Sequence, residues 1–417
     1  MVVNIFKNKE LLITILAQAC QFISSLLLLK LLTGEMTLSN YGELALLLSL
    51  SMLILALPFT AIQQGFYRYR SIYVSQYKEG IHLSAMIAGV SILLIFFFII
   101  SFIYVTNFES NEYINENYNI AVFFIFSEVY KIYLRTIVNA DRNRTSYAFS
   151  IITEFSFKIL GCFFFSASFE MKANDVLIIY SMANVISVLS LLYHGGLKFS
   201  LKISDLLEIR QLWKDVAIFS SPMLVWAFFG WLRDSGLRWF IEDLYSLNEV
   251  ASFTALATVA LVIPTILQSL LSVYIVPLLY SSKGADNERE IEEKFSIIMR
   301  FLYVVGLVVL AIFYCFHNEI VVFIIGEKYS ADSSMLPIMF IGNFLFNCAM
   351  LKGNLLLANF KQMSLIWPNI ISGISILIYG FFILPIFGLK SLPFGYSLPF
   401  IVYFFVTTII VKKAEVR

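Results

Sequence analysis

Charge is what this 417-residue sequence has least of: 14% of its residues are Asp, Glu, Lys or Arg, where soluble globular chains carry about 25%. Hydrophobic residues make up 59%. That balance excludes a soluble enzyme, a disordered chain and a coiled coil. The net charge of +1 supplies no overall field for nucleic acid. Cysteine is sparse: Cys20, Cys162, Cys315 and Cys348 each lie in an apolar stretch, with no C-x-x-C or Cys/His spacing. Disulfides and a structural zinc are therefore not expected. His82, His194 and His317 are far apart in sequence, so no metal site is expected from them. The phosphate-loop signature G-x-x-x-x-G-K-[ST] is missing, and no Ser/His/Asp set converges. No ATPase, no other catalytic centre and no cofactor are read from the chain.

What the chain does have is apolar runs of spanning length. Twelve follow one another, near 11–32, 43–66, 83–105, 119–139, 147–169, 175–195, 215–241, 250–281, 295–317, 333–359, 364–387 and 391–411. The apolar patch at 320–326 is too short to span and reads as a cap on the outer end. With the N-terminus inside, alternation puts eighteen basic residues inside, Arg68, Arg70, Lys78 and Arg142 among them. It leaves only Lys172, Lys328 and Lys390 outside. This positive-inside bias puts both termini in the cytoplasm. The loop at 106–118, with Glu109, Glu112 and Glu116 and no basic residue, fits an outer position. Lys7 and Lys9 precede the first run without a small-residue cleavage site, which reads as a retained helix. The fold class is an all-α polytopic membrane protein.

The longest loop, 196–214, mixes Lys198, Lys202, Arg210 and Lys214 with Leu201, Ile203, Leu206, Leu207 and Leu212. It reads as an amphipathic helix on the inner surface, joining an N-terminal six-helix lobe (1–195) to a C-terminal one (215–417). A weak repeat supports two lobes. Tyr41-Gly42-Glu43-Leu44-Ala45 and Val250-Ala251-Ser252-Phe253-Thr254-Ala255 lie half a chain apart, and Pro58 before Gln63 matches Pro264 before Gln268. Six spans per lobe relate the two by an axis along the membrane normal, as in transporters that bind cargo between halves.

Ionised groups at mid-membrane cost ~2.5–3.5 kcal/mol each, so each needs a partner or a watery cavity. Glu128, Lys131 and Arg135 share one helix face, and Glu154 and Lys158 are spaced to pair on the next helix. These five form either a self-neutralising bridge between helices or, with one cation unmatched, part of a binding surface. Asp234 is spaced to pair with Arg238, which otherwise snorkels outward beside Trp239; Arg233 lies deeper. Lys30 is near the outer end of the first span. Lys352 shares a helix with Asn343, Asn347 and Asn354, a stripe suited to interhelical bonds or to sugar hydroxyls. Arg300 reads as an inner-interface anchor. An excess of cations facing a cavity suits a phosphate or diphosphate. Glu128, Glu154 and Asp234 are candidate proton or sodium carriers.

Leu31-Leu32-Thr33-Gly34-Glu35 followed by Asn40-Tyr41-Gly42, Arg238-Trp239-Phe240-Ile241 and Ile325-Gly326-Glu327-Lys328-Tyr329 give the chain, over nearly its whole length, a resemblance to bacterial polysaccharide flippases. These are the O-antigen and exopolysaccharide members of the multidrug/oligosaccharidyl-lipid/polysaccharide exporter superfamily. The resemblance implies two pseudo-symmetric bundles in a V and alternating access. It implies an undecaprenyl-diphosphate-linked oligosaccharide as cargo, moved from the inner to the outer leaflet of the bacterial inner membrane. It also implies a polysaccharide polymerase and a chain-length regulator as partners beside membrane lipid. One departure stands out: many relatives carry Asp immediately before the span-seven arginine, where this chain has Leu237. The residues expected to bind the diphosphate are Lys131, Arg135, Lys158, Arg233 and Lys352, then Lys30 and Arg238. A cation-coupled multidrug exporter of the same superfamily and a membrane polysaccharide polymerase are the rival readings.

Overall fold

A computed structural model of the chain describes residues 9–76, 78–107, 112–200, 202, 205–281, 288–358 and 361–415. Lys7, Glu109, Leu201 and Ile203, which bear on the orientation and on the surface helix, lie outside the described residues. The described chain is all-helical. Helix α1 is Lys9–Glu35, α2 Leu38–Ile54, α3 Ala61–Ser75, α4 Glu79–Asn107, α5 Glu112–Ala140, α6 Arg144–Ser166 and α7 Ala173–His194. Then come α8 Leu206–Leu244, α9 Leu247–Ser281, α10 Glu288–Ile325, α11 Leu336–Ala358, α12 Ile366–Ile378, α13 Leu384–Phe387 and α14 Leu392–Glu415.

Eleven helical stretches among the described residues are long and apolar enough to cross a membrane. The remaining expected span is α5, 29 residues long, whose Glu128, Lys131 and Arg135 make it too polar for that standard. Outward-facing side chains tell the same story. Ile92, Ile95, Phe96, Ile99, Ile100 and Ile103 are all exposed on α4, a patch no water-soluble surface tolerates. The chain is a multi-pass membrane protein.

Two compact units make up the chain: unit 1 comprises Met1–Met36 and Leu47–Ala227, unit 2 Thr37–Leu46 and Phe228–Arg417. The boundaries expected from sequence, 1–195 and 215–417 around a linker at 196–214, differ in two ways. First, the division falls inside a helix: from Leu206 on, the linker is continuous with the seventh span. The chain from Leu206 to Leu244 is one helix of 39 residues, ~58 Å long at 1.5 Å per residue. Its first turns dock on α4. The indole N–H of Trp213 donates to the Ala85 carbonyl at 3.1 Å, and Leu212 is buried. A Cβ on Gly89 would lie 1.9 Å from the Trp213 ring, so only glycine admits it. Leu212 and Trp213 thus pack on protein, whereas Leu206 and Leu207 are exposed.

Second, Thr37–Leu46 belongs with unit 2. A Cβ on Gly42 would come 2.0 Å from the Leu247 carbonyl oxygen at the start of α9. Its neighbour Tyr41 meets Tyr329 edge-on, ring centroids 6.4 Å apart. Two of the motifs that carry the family resemblance therefore touch each other.

Pro58 breaks the expected span at 43–66. It has no N–H to donate and excludes helical geometry from the residue before it; Leu57 sits at φ −122°, ψ 105°. The irregular turn Leu55–Thr60 follows, and its Phe59 carbonyl accepts from the Tyr133 hydroxyl at 2.7 Å. Gln63 donates to Thr136 on the same helix, α5. The patch at 320–326 is not a separate cap: through Ile325 it is the last part of α10, continuous except for a kink at Phe316 (φ −124°, ψ 26°).

Candidate functional site

In unit 1, α7 packs against both α5 and α6. This brings together the five charged residues that the sequence spacing singled out. Glu154 is the hub. Its Oε1 accepts from Lys131 at 2.8 Å and from Lys158 at 2.5 Å, and its Oε2 from Arg135 at 2.8 Å. Lys131 also donates to Glu128 at 2.7 Å and to Asn184 Oδ1 at 2.9 Å, which uses all three ammonium hydrogens. Asn184 in turn donates to Glu128 at 2.8 Å and to Ser127 at 3.2 Å. Lys158 lies 4.5 Å from the centre of the Tyr180 ring and 5.4 Å from that of Phe155.

Each cation has a partner, since all three touch Glu154 and Lys131 spans both carboxylates, although three cations meet only two carboxylates. The bridge between helices is therefore a real part of the fold. Within it Arg135 differs from the lysines. Its Nε and Nη2 are engaged by Ser150, Glu154 and Ser187, whereas its Nη1 makes no hydrogen bond among the described residues. That nitrogen carries two donors suited to an anion.

Unit 2 satisfies its deepest cation in another way. Arg233, on α8, is 7% exposed. Its Nε and Nη2 donate to both oxygens of Asp234 at 2.7 and 3.0 Å, and its Nη1 to Asn369 on α12 at 2.8 Å. The guanidinium stands 4.3 Å from the Phe346 ring centre, 5.1 Å from Tyr403 and 5.8 Å from Phe400, close enough for attraction to the ring faces. The expected Asp234–Arg238 pair gives way to Arg233–Asp234, because the long arginine fork folds back onto the adjacent carboxylate. Asp234 keeps half its side chain exposed. Arg238 instead donates to Thr254 and Ser235, both at 3.2 Å.

Lys352 is apart from this cluster. It donates to Thr408 on α14 at 3.1 Å and lies 4.5 Å from the Phe404 ring centre. The asparagine stripe beside it is partly spent on packing, since Asn343 exchanges hydrogen bonds with Tyr396 at 3.0 and 3.2 Å, and Asn347 donates to the Asn343 carbonyl. Lys30 is exposed on α1. The structure thus joins Lys131, Arg135, Lys158, Glu128 and Glu154 in one cluster and Arg233 with Asp234 in another; it leaves Lys352, Arg238 and Lys30 outside both.

The neutral members of these clusters were missed in the sequence: Asn184, Ser150 and Ser187 in unit 1, Asn369, Phe346 and Tyr403 in unit 2. A faint signal existed for the first group. Asn184 and Ser187 are three apart on α7, one polar face of an otherwise apolar helix.

No family model matches the chain, and no curated protein does. Solved structures do. A multidrug resistance MATE-family transporter of the MOP superfamily, in an inward-facing conformation, superposes with a TM-score of 0.73 at 13% identity, covering 95% of each chain. The lipid II flippase MurJ, inward closed, gives 0.70 at 14% identity, over 96% of this chain and 87% of that one. A MOP-superfamily transporter from Pyrococcus furiosus Vc1, described as having a binding pocket of reverse polarity, gives 0.66 at 12%, over 97% and 94%. At such identities the likeness is one of fold, and the chain has the fold of MOP-superfamily transporters.

Proposed function

We propose that the chain is a flippase for a lipid-linked oligosaccharide, carrying an undecaprenyl-diphosphate-linked surface-polysaccharide repeat unit across the bacterial inner membrane by alternating access. The observation that carries this reading is the charge balance of the candidate groups. Three cations meet two carboxylates in unit 1, and three cations (Arg233, Arg238 and Lys352) accompany Asp234 in unit 2. An anionic headgroup is the cargo that such a balance favours. Arg135, with its unengaged Nη1, and Arg233, with its planar fork, are the groups best suited to phosphate oxygens. Lys131 and Lys158 hold Arg135 and Glu154 in place. The flippase among the structural neighbours supports a lipid-linked cargo, and the charge bias of the loops supports cytoplasmic termini. A polymerase and a chain-length regulator are the partners this reading entails.

The fold supports a second reading, a multidrug exporter, since a transporter of that kind is among the neighbours. Half-exposed Asp234 would then be its cation-handling group. Deletion of the gene with leaflet-resolved detection of the glycan separates the two. An impermeant lectin is applied to intact and to lysed spheroplasts. A flippase deletion traps single repeat units inside, and Arg135→Ala or Arg233→Ala variants made in normal amounts still trap them. Unpolymerised units on the outer face point to a polymerase. An unaffected glycan with lost drug resistance points to the exporter.

A further inference from the structure

Arg68, Arg70 and Arg142 enter the sequence reading only as orientation charges, yet the fold gathers them. Within unit 1, the last turns of α3 and the end of α5 enclose a cavity of about 540 Å³ lined by Arg68, Arg70, Arg142, Asp141, Ser71 and Ser75, among others. Arg70 is its buried wall. It donates to both oxygens of Asp141, at 2.9 and 2.7 Å, and to the Glu79 carbonyl at 2.9 Å. That pairing consumes the carboxylate that lines the cavity. Arg68 and Arg142 are exposed and have no carboxylate partner among the described residues. The Arg68 guanidinium is laid over the Phe219 ring, 4.5 Å from its centre. Arg142 sits just past the C-terminus of α5 in the left-handed region, at φ 57°, held there by bonds from its own N–H to Asn139 and from the Asn143 N–H to Val138. Tyr67 and Val74, large exposed side chains on the same short helix, also line it.

We propose that this cavity binds the headgroup of an anionic phospholipid. Arg68 and Arg142 take the phosphate oxygens, Ser71 offers a hydroxyl, and Tyr67 and Val74 lie against the first acyl carbons. Two guanidiniums without carboxylates favour a phosphate. Volumes of this order suit a small ligand. Tyr67 and Val74, in a chain of membrane-spanning helices, select a lipid over a soluble anion, and the charge bias assigns this end of unit 1 to the leaflet rich in anionic lipid. The site shares no residue with the charged clusters described above, so it stands whether or not the cargo reading does.

The test uses the full-length protein purified in a neutral detergent. It is titrated with phosphatidylglycerol, with phosphatidylcholine of the same chains, and with inorganic phosphate, and bound lipid is counted by native mass spectrometry. Phosphatidylglycerol is expected to bind more tightly than phosphatidylcholine. An Arg68→Gln/Arg142→Asn double variant is expected to weaken it by about 25-fold, about fivefold per arginine. Asn is chosen because it tolerates the left-handed backbone. Arg68→Gln alone, which leaves the α5 terminus intact, is expected to lose its own share without lowering the melting temperature. Equal affinity for the two lipids, or unchanged binding in both variants, overturns the proposal. So does displacement of phosphatidylglycerol by millimolar phosphate, which would mark a soluble-anion site.

Discussion

The two charged clusters solve one problem by opposite means. In unit 1, three cations are held by carboxylates, with Glu154 shared among all of them. In unit 2, a single buried arginine has one carboxylate, one amide and three aromatic rings. The first arrangement is tied tightly and open only at the Arg135 Nη1: Lys131 has no hydrogen left to give. The second is open at one edge, since Asp234 is half exposed and ring faces hold a cation without fixing its hydrogens. A shared hub makes a cluster fragile at one residue, whereas a walled arginine spreads its support over several.

Substitutions can break or sharpen that contrast. The largest effect is expected for Glu154→Gln, which takes the shared carboxylate from Lys131, Arg135 and Lys158 and leaves Arg135 and Lys158 with none. Removing one partner of a buried pair costs about 3–5 kcal/mol, so the thermal midpoint in detergent should fall steeply. A fall no larger than that of Glu128→Gln would show that Glu154 is not the hub. Next comes Arg233→Ala, expected to slow translocation tenfold or more in a leaflet-resolved assay at normal protein levels. Arg233→Lys should recover only part, because an ammonium cannot serve Asp234 and Asn369 together in the same geometry; full recovery would show that charge alone matters there. Glu128→Gln is expected to cost about 1–2 kcal/mol, the scale of hydrogen bonds to charged groups, because Lys131 keeps Glu154 and Asn184. Phe346→Leu removes one ring from beside Arg233 and should cost about 0.5–1 kcal/mol beyond the packing change. The smallest effect is that of Lys78→Ala. Its ion pair with Glu208, 2.9 Å long, is partly open to solvent, and exposed pairs contribute under about 1 kcal/mol; it serves as the baseline for the other variants.

Much of this was legible in the sequence, and the reasons are local. Hydropathy marks a span whatever it packs against, so the helices were readable. Spacing along one helix gave Glu154–Lys158 and Glu128–Lys131, because partners three or four apart share a face. The same rule misled at Asp234, where i, i+4 spacing pointed to Arg238 and the adjacent Arg233 won. Hydropathy also hid the start of α8. Residues 206–215 are polar enough to read as a separate surface helix, yet they are continuous with the seventh span and docked through Trp213. Partners on other helices were invisible for a third reason: Asn184, Ser187 and Asn369 are neutral, and nothing local says which cation a neutral amide or hydroxyl will serve.

The knot in unit 1 also sets a problem of timing during synthesis. The spanning part of helix α5 carries three charges, Glu128, Lys131 and Arg135, and at the centre of a bilayer a span bears ~2.5–3.5 kcal/mol for each. Glu128 relieves Lys131 within the helix, but the remaining partners are not yet made when it leaves the ribosome: Glu154 lies 23 residues beyond Lys131, and Asn184 lies 53 beyond it. At ~5–20 residues per second, the wait for Asn184 is roughly 3–10 s. Through that interval α5 has to linger beside the insertion machinery or at the interface, entering lipid only together with α6 and α7. The hub that fixes the finished unit thus makes three helices a single unit of insertion.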